Sequence, residues 1–273
     1  MPGAPVSTGP AGQFPLLSTA FCPPIEYFAL LAEYSSVYME ACESYAKQSW
    51  RNRCRILSAN GPLDFTVPVI HSAAAGLPSA DVSLPLDPTA DAVPPLTQSG
   101  VPENVPIFGV HTRVARSAEG SPAASRRITA VLVDYSTPWT AKFKRAVESA
   151  YYSSPFYIYY KDALWAILDE RPATLWELNH RILDFFCARI GIAPEIIATT
   201  DYFPAAASED LPSTGLDYRE AIHPKRPNHI LADRGLARPY WQVFRDRFGF
   251  VPGLSILDLL FNEGPESICW LIR

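Results

Sequence analysis

Apolar runs and amphipathic stretches alternate along the first part of the chain. "FPLLSTAF" (14–21) reads as a buried strand, "PPIEYFALLAEY" (23–34) as a helix with Pro near its first turn, and "SSVYME" (35–40) as a second strand. Strand, helix and strand within about thirty residues match the length of a βαβ unit, which predicts parallel strands joined by a right-handed crossover. "CRILSANGPLDFTVPVI" (54–70) predicts a β-hairpin turning at Asn60 and Gly61, a dipeptide that tolerates the positive φ of a tight primed turn. "ITAVLVDY" (128–135) is apolar and β-rich and predicts a central strand ending at Asp134.

Helical periodicity dominates thereafter. Thr137 and Pro138 open a helix with Phe143, Val147 and Tyr151 on one face, and "SSP" (153–155) breaks and restarts the pattern. Thr174 with Glu177 forms a capping box for "LWELNHRILDFFCARIG", closed by Gly191, and "EIIATT" (195–200) supplies a further short strand. Helices are again expected in "YWQVFRDRFG", "SILDLLFNEG" and "PESICWLI", with Ser255 and Gly264 in start and stop positions; 201–238 is polar and gives no assignment. Residues 72–127 are rich in Pro, Ala, Ser and Gly, with Phe108 as their only large ring, and bury too little apolar surface to offset ordering entropy. The expected organisation is a disordered tail (1–13), one α/β domain (14–71 and 128–273) with a mixed, largely parallel sheet, flanking helices and a C-terminal helical part, and a disordered insertion (72–127).

Composition narrows the partners. A hydrophobic share of 48% is ample for a core, and a formal net charge of −5 argues against broad capture of nucleic acid or of an anionic membrane. No run reaches the roughly 18 apolar residues of a membrane span. The opening "MPGAPVSTGPAGQ" lacks a charged segment followed by an apolar one, so a cytoplasmic location is expected. Five cysteines without a C-x-x-C pair indicate reduced packing residues.

Against that acidic background, "ESYAKQSWRNRCRI" (43–56) concentrates cations and amides. Lys47, Gln48, Arg51, Asn52 and Arg53 suit a phosphorylated or acidic small molecule, because guanidinium forks bind such groups bidentately while amides orient neutral oxygens. The alternative is a solvated loop whose cations pair with Glu40 and Glu43. A second cluster, "DYREAIHPK", holds Asp217, Arg219, His223 and Lys225; His223 is a candidate general base, its neutral form favoured by the adjacent cations, or else a surface histidine on a polar connector. Glu40 and Asp134 end apolar strands, where carboxylates of α/β proteins often meet a ligand or a catalytic proton, or cap neighbouring helices. The histidines have no zinc-site spacing, so no metal is expected; magnesium between a carboxylate and ligand phosphates is unmarked, and no residue pattern names a cofactor. The G-x-G-x-x-G, P-loop and G-x-S-x-G fingerprints are absent. Within "AYYSSPFYIYY", Tyr152 and Tyr160 are candidate stacking contacts, although most of these rings read as core.

Taken together, "STAFCPPIEYFALL", "ESYAKQSWRNRC", "DYSTPWTAKFKRAVESAYYSSPFYIYY", "DYREAIHPK" and "QVFRDRFGFVPGLSILDLLFNEGPES" resemble the WbqC-like family over most of the chain outside the first dozen residues and 72–127. The resemblance implies a role in bacterial cell-surface polysaccharide biosynthesis, as a transferase that modifies amino sugars carried on nucleotides, for example by N-acylation with an amino-acid-like group. It implies functional positions at Lys47, Gln48, Arg51 and Asn52, at Trp139, at Asp217, Arg219, His223 and Lys225, and at Asp258 and Asn262. Two readings follow: a transferase in which His223 or Glu40 accepts a proton from an attacking amine, or a non-catalytic binding or assembly protein of the envelope pathway. A carrier protein or pathway enzyme is a further expected partner. Both require the stretches near 50 and 222 to meet in one hollow.

Overall fold

The computed structural model describes residues 14–70, 127–203 and 216–273. β1 (Leu16–Ser18), α1 (Ile25–Glu33) and β2 (Ser36–Glu40) form the expected βαβ unit, with β1 and β2 parallel in the register Leu16 to Tyr38 and Ser18 to Glu40. Helix α1 buries Phe28, Ala29 and Leu30 completely, which the continuous apolar run of its sequence requires. β7 (Glu195–Ala198) adds parallel to the other side of β2, so the order is β1-β2-β7. Asp217 extends the row beyond β1 through a parallel bridge to Leu16, with Leu16 N–H donating to Leu216 O and Tyr218 N–H to Leu16 O, each 2.9 Å. All four segments therefore run the same way and end at one edge.

β3 (Arg53–Ser58) and β4 (Gly61–Thr66) form the expected antiparallel hairpin, with the turn shifted by one residue. Ser58 pairs with Gly61, so Ala59 and Asn60 make the turn without positive φ, and Gly61 takes φ 103° immediately after it.

The stretch 128–135 differs from its reading. Ile128–Ala130 is a 3₁₀ turn, and the strand is confined to β6 (Leu132–Val133), paired antiparallel with β5 (Val69–Ile70) instead of joining the parallel sheet. Its apolar side chains are buried because the helix that follows Thr174 lies against them, and its backbone is satisfied from that side: Leu175 N–H donates to Val131 O and Val133 N–H to Ala173 O. An apolar run reports burial and not the partner that provides it.

α2 (Trp139–Tyr151), α3 (Tyr157–Asp169) and α4 (Leu175–Ile190) are the predicted helices. Thr174 Oγ1 accepts from Glu177 N–H at 3.1 Å, and Gly191 at φ 84° closes α4. In the C-terminal part α5 (Ile230–Asp233) and α6 (Arg245–Phe248) are single turns, α7 (Ile256–Glu263) is capped by Ser255, and Gly264–Trp270 is 3₁₀ where an α-helix was expected. Among the described residues the fold is thus α/β, with a small parallel sheet, two antiparallel pairs and flanking helices. No described helix is long and apolar enough to cross a membrane. The expectations of disorder for 1–13 and 72–126 fall outside the described residues; Arg127 is described and bridges Ser44.

Candidate functional site

The carboxyl edge of a parallel sheet is where its strands release polar side chains. Here β1 releases Ser18 and Thr19, β2 releases Glu40 and the loop to Glu43, β7 releases Thr199, and the bridge at Asp217 leads into Tyr218 and Arg219. A small cleft between these ends is lined by Ser18, Thr19, Ser49, Arg51, Arg219 and His223, with Tyr27 and Tyr218 among its walls. Its enclosed volume, about 20 Å³, is the room of one water. The stretches near 50 and 222 therefore meet, and Lys225 Nζ donates to Gln48 Oε1 between them.

Two buried guanidiniums organise the floor. Arg51 sits in the 3₁₀ turn Trp50–Asn52, which starts at Ser49: that hydroxyl accepts from Arg51 N–H at 3.4 Å and donates to Ala46 O at 2.7 Å. Arg51 Nε donates to Glu43 Oε1 at 2.8 Å, and Nη2 donates both to Glu43 Oε2 and, at 2.7 Å, to Ser18 Oγ. Ser18 Oγ in turn donates to Glu43 Oε2 at 3.0 Å. Burial pushes the Glu43 carboxyl up, against the pull of Arg51.

Arg219 repeats the arrangement. Its Nη2 donates to Asp217 Oδ2 at 2.7 Å and its Nη1 to Glu40 Oε2 at 3.1 Å, while its guanidinium lies 5.5 Å from the Tyr202 ring centroid. Burial opposes its charge, but Asp217 and Glu40 outweigh burial and hold its pKa above the ordinary value. Glu40 is fully enclosed and accepts four bonds: from Cys42 N–H and Thr199 Oγ1 at Oε1, and from Phe203 N–H and Arg219 Nη1 at Oε2. Two guanidiniums thus face three carboxylates, and the positive charge expected of the floor is neutralised from behind. The exposed cations of the two stretches are Lys47 and Lys225, each two residues along the chain from a residue that lines the cleft, Ser49 and His223.

His223 is the one candidate proton acceptor that lines the cleft. Its Nδ1 accepts from Lys225 N–H at 3.2 Å. Partial burial lowers its pKa, helped by Arg226, Lys225 and Arg51 and opposed by Glu220.

The remaining expected positions lie elsewhere. Asn52 is buried and donates to Val67 O at 2.7 Å, while Arg53 Nε donates to Thr66 Oγ1 across the hairpin. Trp139 is in the core against Phe21, Phe65 and Tyr135. Asp134 closes a local turn by accepting from Ser136 N–H at 2.8 Å. Asp258 and Asn262 belong to a buried network with Tyr240, Gln242 and Ser154 that fastens α7 to its neighbours. Tyr152 is exposed and Tyr160 half-buried, neither on the cleft.

Sequence reasoning passed over Ser18, Thr19, Thr199 and Asn179. Asn179, on α4, donates to Arg51 O at 2.8 Å and Thr19 Oγ1 at 3.2 Å, locking the Arg51 turn to the end of β1. The available signal for Ser18 and Thr19 was two hydroxyls directly after the apolar pair that forms a parallel strand. A larger groove of about 600 Å³ opens near the amino ends of β2 and β7, beside Ser35 and Pro194, away from this polar cluster.

The family model of the WbqC-like protein family matches residues 19–89 and 118–224, which include both halves of the cleft. The chain belongs to this WbqC-like protein family. The match takes in part of 72–127 and stops short of the C-terminal stretch that also carried the resemblance. The chain is also similar to a Mycobacterium tuberculosis (strain ATCC 25618 / H37Rv) protein named "Uncharacterized protein Rv1507c", 26% identical over 259 residues that cover 88% of this chain and 89% of that protein. No solved structure matches.

Proposed function

We propose that this WbqC-like protein is a transferase of bacterial cell-surface polysaccharide biosynthesis that acylates the amine of a nucleotide-linked amino sugar. The observation that supports the reading is the Lys225 to Gln48 contact, which joins two distant cation-bearing stretches whose neighbours Ser49 and His223 line a cleft rich in hydrogen-bonding groups; on this reading their exposed lysines form its rim. On this reading Lys47 and Lys225 face the pyrophosphate, and Ser18, Ser49, Arg51 and His223 face the reacting end. The small enclosed volume accepts a carbonyl-sized group, and the rest of the substrate lies across the mouth. Bringing donor and acceptor together in this way contributes on the order of 7 to 11 kcal/mol of the barrier by proximity.

The pairing of both buried guanidiniums favours a second reading, a non-catalytic binding or assembly protein of the envelope pathway that holds an acidic partner on the same rim. Mass spectrometry of the protein incubated with a nucleotide-linked amino hexose and an acyl thioester separates the two. The transferase reading expects the sugar nucleotide to gain the acyl mass, and to stop gaining it in His223→Ala. No mass gain with any donor, and a protein partner retained through purification, would support the second reading.

A further inference from the structure

His223 is followed by Pro224 and Lys225, and the chain turns back so that Lys225 N–H points at the imidazole, 3.2 Å from Nδ1. A backbone N–H has no second role: it can only donate, and Nδ1 meets it with a lone pair. In the neutral ring the proton therefore sits on Nε2, and protonating Nδ1 as well would set two N–H groups against each other. Ring reversal does not escape this, since it presents a carbon to the amide.

The charges facing the ring act in the same direction. Partial burial disfavours imidazolium most, Arg226 and Lys225 from its own loop and Arg51 from the turn across the cleft add to it, and Glu220 is the opposing group. Arg51, itself only 6% exposed, lines the same cleft. Its Nε and Nη2 are spent on Glu43 and Ser18, and Nη1 is outside those bonds.

The geometry points to His223 as a neutral hydrogen-bond donor through Nε2, which together with Arg51 binds an oxygen acceptor, a carbonyl or carboxylate oxygen, in the cleft. The inference deepens the transferase reading, in which that oxygen is the carbonyl of the acyl group, and it gives His223 the part of polarising that carbonyl instead of taking a proton. Donors fixed before the ligand arrives stabilise the charge that develops on the carbonyl oxygen during amine attack; the C–N bond forms as the C–S bond of the acyl thioester breaks, and the departing thiolate takes the proton that the amine gives up.

The test needs no turnover. Long-range proton to nitrogen-15 correlation spectra of the labelled full chain, with the His223 signals identified by their loss in His223→Gln, report which ring nitrogen carries the proton. The expected result is a neutral ring protonated at Nε2, whose Nε2 signal moves on titration with acetate and stays still with ethylammonium. A proton on Nδ1, or a response to ethylammonium and none to acetate, would overturn the inference. Acetate binding at Nε2 in a protein that ignores every sugar nucleotide would leave the donor role standing and remove the transferase reading instead.

Discussion

Lys225 Nζ donates a hydrogen bond to Gln48 Oε1, joining side chains 177 positions apart in the chain. Gln48 reaches that partner from φ 59°, a left-handed conformation that costs a non-glycine residue about 1 kcal/mol or more. Strain at the rim of a candidate site predicts opposite effects on stability and binding. Gln48→Gly should stabilise the fold by up to about 1 kcal/mol in urea unfolding while weakening any ligand held at the rim. A loss of stability would show that the side-chain contact matters more than the backbone conformation.

The buried pair Arg51 and Glu43 should behave as a unit. Arg51→Ala leaves a carboxylate buried without its partner, at a cost of roughly 3 to 5 kcal/mol, so its effect on activity cannot be separated from its effect on folding. Arg51→Ala combined with Glu43→Ala should cost less than the sum of the single changes by at least about 1 kcal/mol in chemical denaturation. Additive losses would mean that the two side chains act independently.

Asp258 carries a pH signature. Burial raises its carboxyl to about 6, with Tyr240 and Gln242 pulling it back only in part. The native state therefore keeps its proton across a range, from about pH 4 to about 6, in which the unfolded chain has lost it. The associated stability is fully present below pH 4 and is lost as pH rises towards 6, a change on the order of 3 kcal/mol. Asp258→Asn should remove that slope, so that the stability difference between variant and parent shifts in the variant's favour from pH 4 to pH 7. Parallel stability profiles in urea titrations would contradict the raised pKa.

Trp139 fills core volume between Phe21, Phe65 and Tyr135, and its buried Nε1 has no partner among the described residues. Trp139→Ala should cost about 3 to 5 kcal/mol, and Trp139→Phe considerably less because it deletes an unsatisfied donor along with the ring. Equal losses in thermal unfolding would show that the indole nitrogen is bonded after all.

The reading of the chain succeeded where local chemistry fixes local structure. Thr174 and Gly191 delimit α4, and the βαβ unit follows from its alternation and length. It failed at 128–135, where an apolar run marked burial against α4 and not membership of the sheet. At the site, the encounter of the 48 and 225 stretches was expected from the cations that each carries. The neutralisation of Arg51 and Arg219 by Glu43, Glu40 and Asp217 was only half legible, because pairing between distant segments depends on register across strands and leaves no periodic trace. Ser18 and Thr199 were missed for the same reason: each looks ordinary until the ends of β1, β2 and β7 are placed side by side.

The central claim, that the cationic rim binds a nucleotide-linked sugar, is tested most directly by thermal unfolding of the parent chain and the Lys47→Ala/Lys225→Ala variant in a panel of sugar nucleotides. Both side chains are exposed, so the variant should unfold near the parent temperature without ligand. The account predicts that an amino-sugar nucleotide raises the parent's unfolding temperature and leaves the variant's nearly unchanged, since a ligand stabilises only a fold that binds it. An equal rise in both proteins, or none in the parent with any member of the panel, would contradict it.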